Sequence, residues 1–177
     1  MQPDDFKEIV IRRSTLDDAD ILGFQHCLDT VARERKWLGL LEAPELEAVR
    51  KVVAARMPLF FVAIKQDAII GWCDVIIPRQ RDGFRHCGEL GMGLLPEFRG
   101  RGLGTRLLRE TLDAAHASGL SRIELEVYAS NQPAIHLYER FGFKHEGCKR
   151  QARILDGQAE DILCMALVTP RSCASAA

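Results

Sequence analysis

The apolar positions of the 177-residue chain change spacing several times, and each change marks an element. EIVIRR, Glu8 to Arg13, predicts an opening strand, and Ser14 or Thr15 followed by Asp17 and Asp18 predicts a helix start. In DADILGFQHCLDTVARERKW, Ile21, Phe24, Leu28 and Val31 recur at helical spacing. After LGLLEA, Pro44 opens a second helix with Leu46, Val49, Val52 and Val53 on one side. The period then shortens. LFFVAIK and AIIGWCDVII are β-rich runs separated only by Gln66 and Asp67, as in a hairpin. RQRDGF is a polar turn around Asp82-Gly83, and HCGELGMGLL is a fourth strand ending at Pro96.

From Gly102 the helical period returns, with Leu103, Leu107, Leu108, Thr111, Leu112 and Ala115 on one face. Arg106–Glu110 and Arg109–Asp113 are spaced as charge pairs on the other face, and Gly119 ends the helix. SRIELEVYA is a fifth strand. NQPAIHLYERFGF is a short helix started by Asn131 and stopped near Gly142. EGCKRQARIL and AEDILCMALV flank Asp156-Gly157, a strong hairpin signal. The pattern predicts one α/β (α+β) domain over residues 1–170, with a mostly antiparallel sheet of about seven strands and about four helices, and a disordered tail over 171–177.

Composition narrows the function classes. The chain is 47% hydrophobic and 28% charged, with a formal net charge of −1, so no global basic field recruits nucleic acid or an anionic membrane surface. No segment approaches the roughly 18 consecutive apolar residues of a membrane span. MQPDDFKE lacks the basic-then-apolar order of a secretory signal, so a cytoplasmic location is expected. Cys27, Cys73, Cys87, Cys148, Cys164 and Cys173 form no C-x-x-C pair and have no histidine at ligand spacing, so they read as plain thiols, with no metal expected.

PEFRGRGLGTRLL, Pro96 to Leu108, sets three glycines and three arginines at the start of a leucine-rich helix, where backbone N–H groups suit a phosphate. A P-loop fails, because Gly100 and Gly104 are too close and no lysine precedes Thr105. A dinucleotide fingerprint fails as well, because Leu107 stands where its third glycine belongs and the preceding strands read as antiparallel.

What remains is Arg99-x-x-Gly102-x-Gly104 after a strand and opening an amphipathic helix, which resembles the pyrophosphate loop of the GNAT superfamily of acetyl-CoA-dependent N-acetyltransferases. EVYASNQPAIHLYERFGFKHEG resembles that family's second motif, with Asn131, Ala134, Tyr138, Gly142 and Phe143 at its spacing. The predicted order β-α-α-β-β-β-α-β-α-β-β also agrees, so the resemblance spans nearly the whole domain and is strongest from Leu90 to Phe143. It implies acetyl-CoA as co-substrate, with its pyrophosphate at Arg99, Gly100, Arg101, Gly102, Leu103, Gly104 and Thr105. Asn131 and Ala134 would lie along the pantetheine arm, beside Tyr138.

Acetyl transfer to an amine needs a neutral nucleophile, a partner for negative charge on the thioester oxygen, and a proton for the leaving thiolate. The family's tyrosine at the position of Tyr138 serves as general acid, and a reference pKa of about 10 keeps a tyrosine protonated at neutral pH. An amphipathic core tyrosine is the plainer reading of the same residue. In IELEV, Glu124 and Glu126 alternate with Ile123, Leu125 and Val127, so both carboxylates point away from the helix-covered face. Glu126 matches a glutamate that acts as base in relatives acetylating protein N-termini; Glu89 and Asp74 are its rivals, and any of them could simply face solvent. For the oxyanion the family uses a backbone N–H late in the fourth strand, here near Leu94 and Leu95, and Gly91 and Gly93 fit a bulge or a close ligand approach.

The acceptor pocket is expected around the first two helices, with Glu34 and Trp37 as contacts and Trp72 and Asp74 reaching in from the third strand. A small-molecule amine such as an amino acid is the first expectation. A protein N-terminus or lysine is the second, and a non-catalytic CoA-binding sensor the third. A homodimer through strands of the Asp156-Gly157 hairpin is implied by resemblance alone.

Overall fold

A computed structural model describes residues 8–77 and 82–169. The elements are β1 (Val10–Arg13), α1 (Asp18–Arg33), α2 (Leu46–Arg56), β2 (Phe60–Lys65), β3 (Ala68–Ile76), β4 (Cys87–Leu94), α3 (Leu103–Ala117), β5 (Arg122–Tyr128), α4 (Gln132–Arg140), β6 (Lys144–Leu155) and β7 (Gln158–Val168), with one-turn 3-10 segments at Asp82–Phe84 and Pro96–Phe98. Backbone hydrogen bonds order the seven strands β1-β2-β3-β4-β5-β7-β6. The α/β class and the element order are those the apolar spacing predicts. The expected tail at 171–177 and part of the RQRDGF turn lie outside the described residues.

The chain divides into two compact units. Residues 8–76 and 90–115 form the first. β1 pairs antiparallel with β2, and β2 with β3, across the Gln66-Asp67 turn. Both turn residues have positive φ, 47° and 64°, the backbone that two-residue hairpins require for their twist. The core of this unit joins α1 (Ile21, Phe24, Leu28, Val31), α2 (Val49, Val53), β2 (Phe60, Val62) and β3 (Ile69, Trp72). Phe24 meets the rings of Phe60 and Trp72 edge-on at 4.8 and 5.3 Å, a favoured aromatic arrangement. All six apolar-face positions predicted for α3 are buried, and the Thr111 hydroxyl on that face donates to the Leu107 carbonyl one turn back at 2.9 Å. Arg106 does not reach the expected Glu110; its guanidinium donates to the Ile9 carbonyl at 3.0 Å.

Three helix boundaries differ from expectation; α2 starts at Leu46 after its N-cap Glu45, so Pro44 precedes the helix it was expected to open. The N-cap of α1 is Asp17, whose carboxylate accepts the Asp20 N–H at 2.8 Å; Ser14 and Thr15 precede it as a connector tied to Asp20. The helix ends at Arg33 instead of running to Trp37, because Arg35 turns left-handed at φ 58°.

Residues 77, 82–89 and 116–169 form the second unit. β4 pairs with β5 in parallel over Cys87–Glu89, opposite Arg122–Glu124, within the mostly antiparallel sheet that the sequence predicts. β5 pairs antiparallel with β7, and β7 with β6. Ile123, Leu125 and Val127 are buried while Glu124 and Glu126 are exposed, as strand alternation predicts. Asp156 and Gly157 form the β6–β7 turn at φ 51° and 75°. Asn131 caps α4 by accepting the Ala134 N–H at 3.3 Å, and Gly142 follows the helix at φ 93°.

Candidate functional site

The first unit carries the glycine-rich loop. After the 3-10 turn at Pro96–Phe98, Gly100 and Gly102 take φ of 70° and 84°, and a Cβ added to either would meet nothing within 4 Å. The left-handed backbone turns the chain into α3, whose first N–H groups have no acceptor inside the helix. No acidic residue lies in the first turn of α3, so the positive end of the helix dipole is left uncancelled. Exposed Arg101 adds charge beside it. Leu103 is buried, and Gly104 and Thr105 are half-buried. This is chemistry suited to a pyrophosphate, and it fits the donor set acetyl-CoA needs.

Arg99 is committed elsewhere. Its Nε and Nη2 donate to the Leu94 carbonyl at 2.9 and 2.7 Å, its Nη1 donates to Glu34 Oε2 at 2.7 Å, and Nη2 also reaches Glu34 Oε1. Trp37 Nε1 donates to the same Glu34 Oε2 at 2.9 Å, and the guanidinium lies 5.9 Å from the Trp37 ring centroid. The hydrogen bonds from Arg99, helped by Trp37, hold the Glu34 carboxyl below its ordinary range against the opposing effect of burial. The residues expected in the acceptor wall, Glu34 and Trp37, are thus joined to the motif arginine itself.

Leu95, one of two amides expected near the thioester oxygen, already donates its N–H to the Ile70 carbonyl at 3.0 Å. Trp72 is 4% exposed and belongs to the core, and Asp74 is buried with its carboxylate 2.6 Å from Arg56 Nε. The strand glycines answer to these two side chains. A Cβ on Gly93 would lie 2.2 Å from the Trp72 ring, and one on Gly91 would lie 3.2 Å from Asp74 Oδ1. Both glycines thus face side chains of β3, closely at Gly93 and more loosely at Gly91.

In the second unit, Tyr138 is buried on α4 beside Ile135, with its ring tilted against Phe143 at 5.7 Å. Glu89, Glu124, Glu126 and Glu146 line a cavity of about 170 Å³ with Leu125, Cys164 and Met165. Arg122 is 2.5 Å from Glu124 and also pairs with Glu146, and Lys149 pairs with Glu126, so two cations answer four carboxylates. Arg122 holds the Glu146 carboxyl below its usual range, with burial opposing, while the two glutamates hold the Arg122 guanidinium firmly charged. Two of the carboxylates read as candidate bases, Glu126 and Glu89, thus line one cavity, while the third, Asp74, is spent on Arg56 in the first unit.

Glu146 and Lys149 were not legible as members of this cluster, whereas Arg122, two residues before Glu124 on β5, shares its face by simple strand alternation. β6 reaches the cluster through register shifts at His145/Gly147 and Lys149/Arg153 that no spacing announces. Among the described residues no group of three or more His, Cys, Asp or Glu is placed to hold a metal ion, and no helix is long and apolar enough to cross a membrane.

Comparison with known proteins bears on the same segments. L-amino acid N-acetyltransferase AaaT of Escherichia coli is 31% identical over 91 residues, covering 51% of this chain and 56% of that protein. The [Ribosomal protein bS18]-alanine N-acetyltransferase of Salmonella typhimurium is 40% identical over 72 residues, covering 41% of this chain and 49% of its own length. The chain thus spans about half the length of the curated relatives it matches. Among solved structures, a GNAT-family acetyltransferase from Streptococcus pneumoniae superposes with a TM-score of 0.83 at 26% identity, over 92% of this chain and 100% of that one. The Salmonella typhimurium acetyltransferase yncA, solved with acetyl-CoA, shares the fold at a TM-score of 0.84 and 21% identity, over 94% and 97% of the two chains. The model of the acetyltransferase (GNAT) family matches residues 26–143, which takes in both the Arg99–Gly104 loop and the Asn131–Phe143 segment, and the chain belongs to that family.

Proposed function

We propose that the protein transfers the acetyl group of acetyl-CoA to a primary amine of a small molecule such as an amino acid, as a cytoplasmic enzyme with no nucleic-acid or membrane partner. The observation that carries this is the loop itself: two left-handed glycines in open space, entering a helix whose first turn holds no acid. Acetyl-CoA supplies the activated thioester. The residues of the chain do the rest. Backbone N–H groups from Gly100 to Thr105, with Arg101, hold the pyrophosphate charge. The Leu94 N–H faces the negative charge that develops on the thioester oxygen. Asn131 and Ala134 orient the pantetheine arm.

Tyr138 donates a proton to the leaving sulfur, a step suited to a phenol that is protonated at neutral pH. Glu126, directly or through water, accepts the proton the acceptor must lose. Four carboxylates, Glu126 among them, against the two cations Arg122 and Lys149 leave the cavity net negative, which favours a cationic amine as the incoming group. A second copy of the chain can pair along β6, whose residues are mostly exposed at the end of the strand order.

A second reading has its own support: relatives include ribosomal-protein alanine acetyltransferases, so a protein N-terminus is the competing acceptor. Release of free CoA thiol, measured with acetyl-CoA against amino acids, polyamines and short peptides, tests both. Turnover with an amino acid or polyamine supports the small-amine reading. Turnover with peptides alone transfers the assignment to protein N-termini or lysines. Acetyl-CoA binding without any acetylated acceptor makes the protein a CoA sensor.

A further inference from the structure

The geometry points to Glu34 as a positioning residue for the pyrophosphate loop, acting through Arg99; the inference rests on the loop's holding acetyl-CoA as proposed above. Arg99 is the residue immediately before Gly100, where the loop begins. Its guanidinium is pinned on two sides, to the Leu94 carbonyl at the end of β4 and to the Glu34 carboxylate at the end of α1. Glu34 is the C-cap of α1, so the cation also sits at the negative end of that helix dipole. Trp37 closes the arrangement by donating to Glu34 and presenting its ring to the guanidinium.

Both carboxylate oxygens of Glu34 are occupied by these donors, and its side chain is only 22% exposed. An incoming ammonium would have to displace a bidentate guanidinium, a strong charge-assisted pair, before Glu34 could bind it. The carboxylate therefore serves the cofactor loop rather than the acceptor. Its partner lies 65 residues away in sequence, so an α1 residue sets the start of a backbone turn on which phosphate recognition depends. A loop fixed before binding loses less freedom when the ligand arrives, which appears as affinity.

The test compares the intact chain with Glu34→Gln, using acetyl-CoA and S-acetylpantetheine, which carries the thioester but no pyrophosphate. In the wild type acetyl-CoA should have the lower KM of the two. Glu34→Gln should raise the Kd and KM for acetyl-CoA about tenfold, within the range by which distant positioning residues modulate a site. It should leave kcat at saturation, and the KM for S-acetylpantetheine, within about twofold. Combining it with Arg99→Gln should add nothing beyond Arg99→Gln alone, as expected of residues acting in one chain. Trp37→Phe, which keeps the ion pair and removes only one donor, should give a smaller shift in the same direction. That variant serves equally if Glu34→Gln does not fold.

An unchanged acetyl-CoA KM overturns the assignment, and so does a rise confined to the acceptor KM, which would return Glu34 to the acceptor pocket. A wild type that handles acetyl-CoA and S-acetylpantetheine equally well removes the pyrophosphate reading of the loop, and this inference with it. A loss of thermal stability with the two KM values moving together assigns Glu34 to general structure.

Discussion

Gly93→Ala is the substitution whose outcome the structure constrains most tightly. The new methyl would sit 2.2, 2.5 and 2.8 Å from three atoms of the Trp72 six-membered ring, all inside the separation real side chains maintain. The ring has little room to retreat, being 4% exposed and edge-on to Phe24 at 5.3 Å. Overpacking a close-packed core costs typically 1–3 kcal/mol, and three simultaneous contacts with a wedged ring put this case near the top, about 3 kcal/mol. For a chain of this size that corresponds to a fall in Tm of about 6–12 °C. Gly91→Ala is the internal control: its methyl would lie 3.2 Å from a single Asp74 oxygen and should cost below about 1 kcal/mol.

The assay is thermal and urea unfolding of a double-mutant cycle with Trp72→Phe, whose shorter ring ends before the three clashing atoms. In that background Gly93→Ala should cost less than about 1 kcal/mol, an interaction of roughly 2 kcal/mol between the sites. A Gly93→Ala protein as stable as wild type, or one equally destabilised with and without Trp72, refutes the steric argument and restores ligand approach as the reason for the glycine.

Two further outcomes are expected. Tyr138→Phe should lower kcat about a hundredfold or more while leaving the acetyl-CoA Kd nearly unchanged, and steady-state turnover within twofold of wild type removes the general-acid role. Asp20 gives a pH signature. Burial pushes its carboxyl up, but hydrogen bonds from Arg12, the Thr15 N–H and the Thr15 hydroxyl overcome this and bring it down to about 2. Because the folded value lies below the unfolded one, the contribution, on the order of 2 kcal/mol, is fully present above about pH 4 and is lost as pH falls toward 2. Asp20→Asn should therefore be less stable than wild type at pH 7, with the gap closing across that window in urea midpoints; a gap that does not narrow refutes the assignment.

Local features proved legible where one element decides them. The leucine spacing of α3 identified its buried face, Asn131 its cap on α4, and Gly119 and Gly142 the left-handed exits, because each depends on neighbours within one or two turns. The candidate site was legible only in part. The loop and the Asn131–Phe143 motif are contiguous strings, but the partners that define their surroundings are not. Arg99 meets Glu34 across 65 residues, Arg56 meets Asp74 from another element, and Lys149 reaches Glu126 through an irregular β6. Such pairings depend on register and helix placement, which periodicity does not encode. Charge spacing even misled at Arg106, where a backbone carbonyl of Ile9 outcompeted the expected Glu110; an exposed ion pair one turn away is worth only a few tenths of a kcal/mol.

The two kinds of glycine differ in how freely descendants of this chain can replace them. At Gly93 the obstacle is the volume of one neighbour, so a lineage that shrinks Trp72 gains the freedom to enlarge position 93, and the pair is expected to covary. At Gly100 and Gly102 there is no neighbour to shrink; the obstacle is the handedness of the α-carbon itself at φ 70° and 84°. No second-site change elsewhere in the fold relieves that, so these two positions are expected to stay fixed alone, without correlated partners, for as long as the loop keeps its shape.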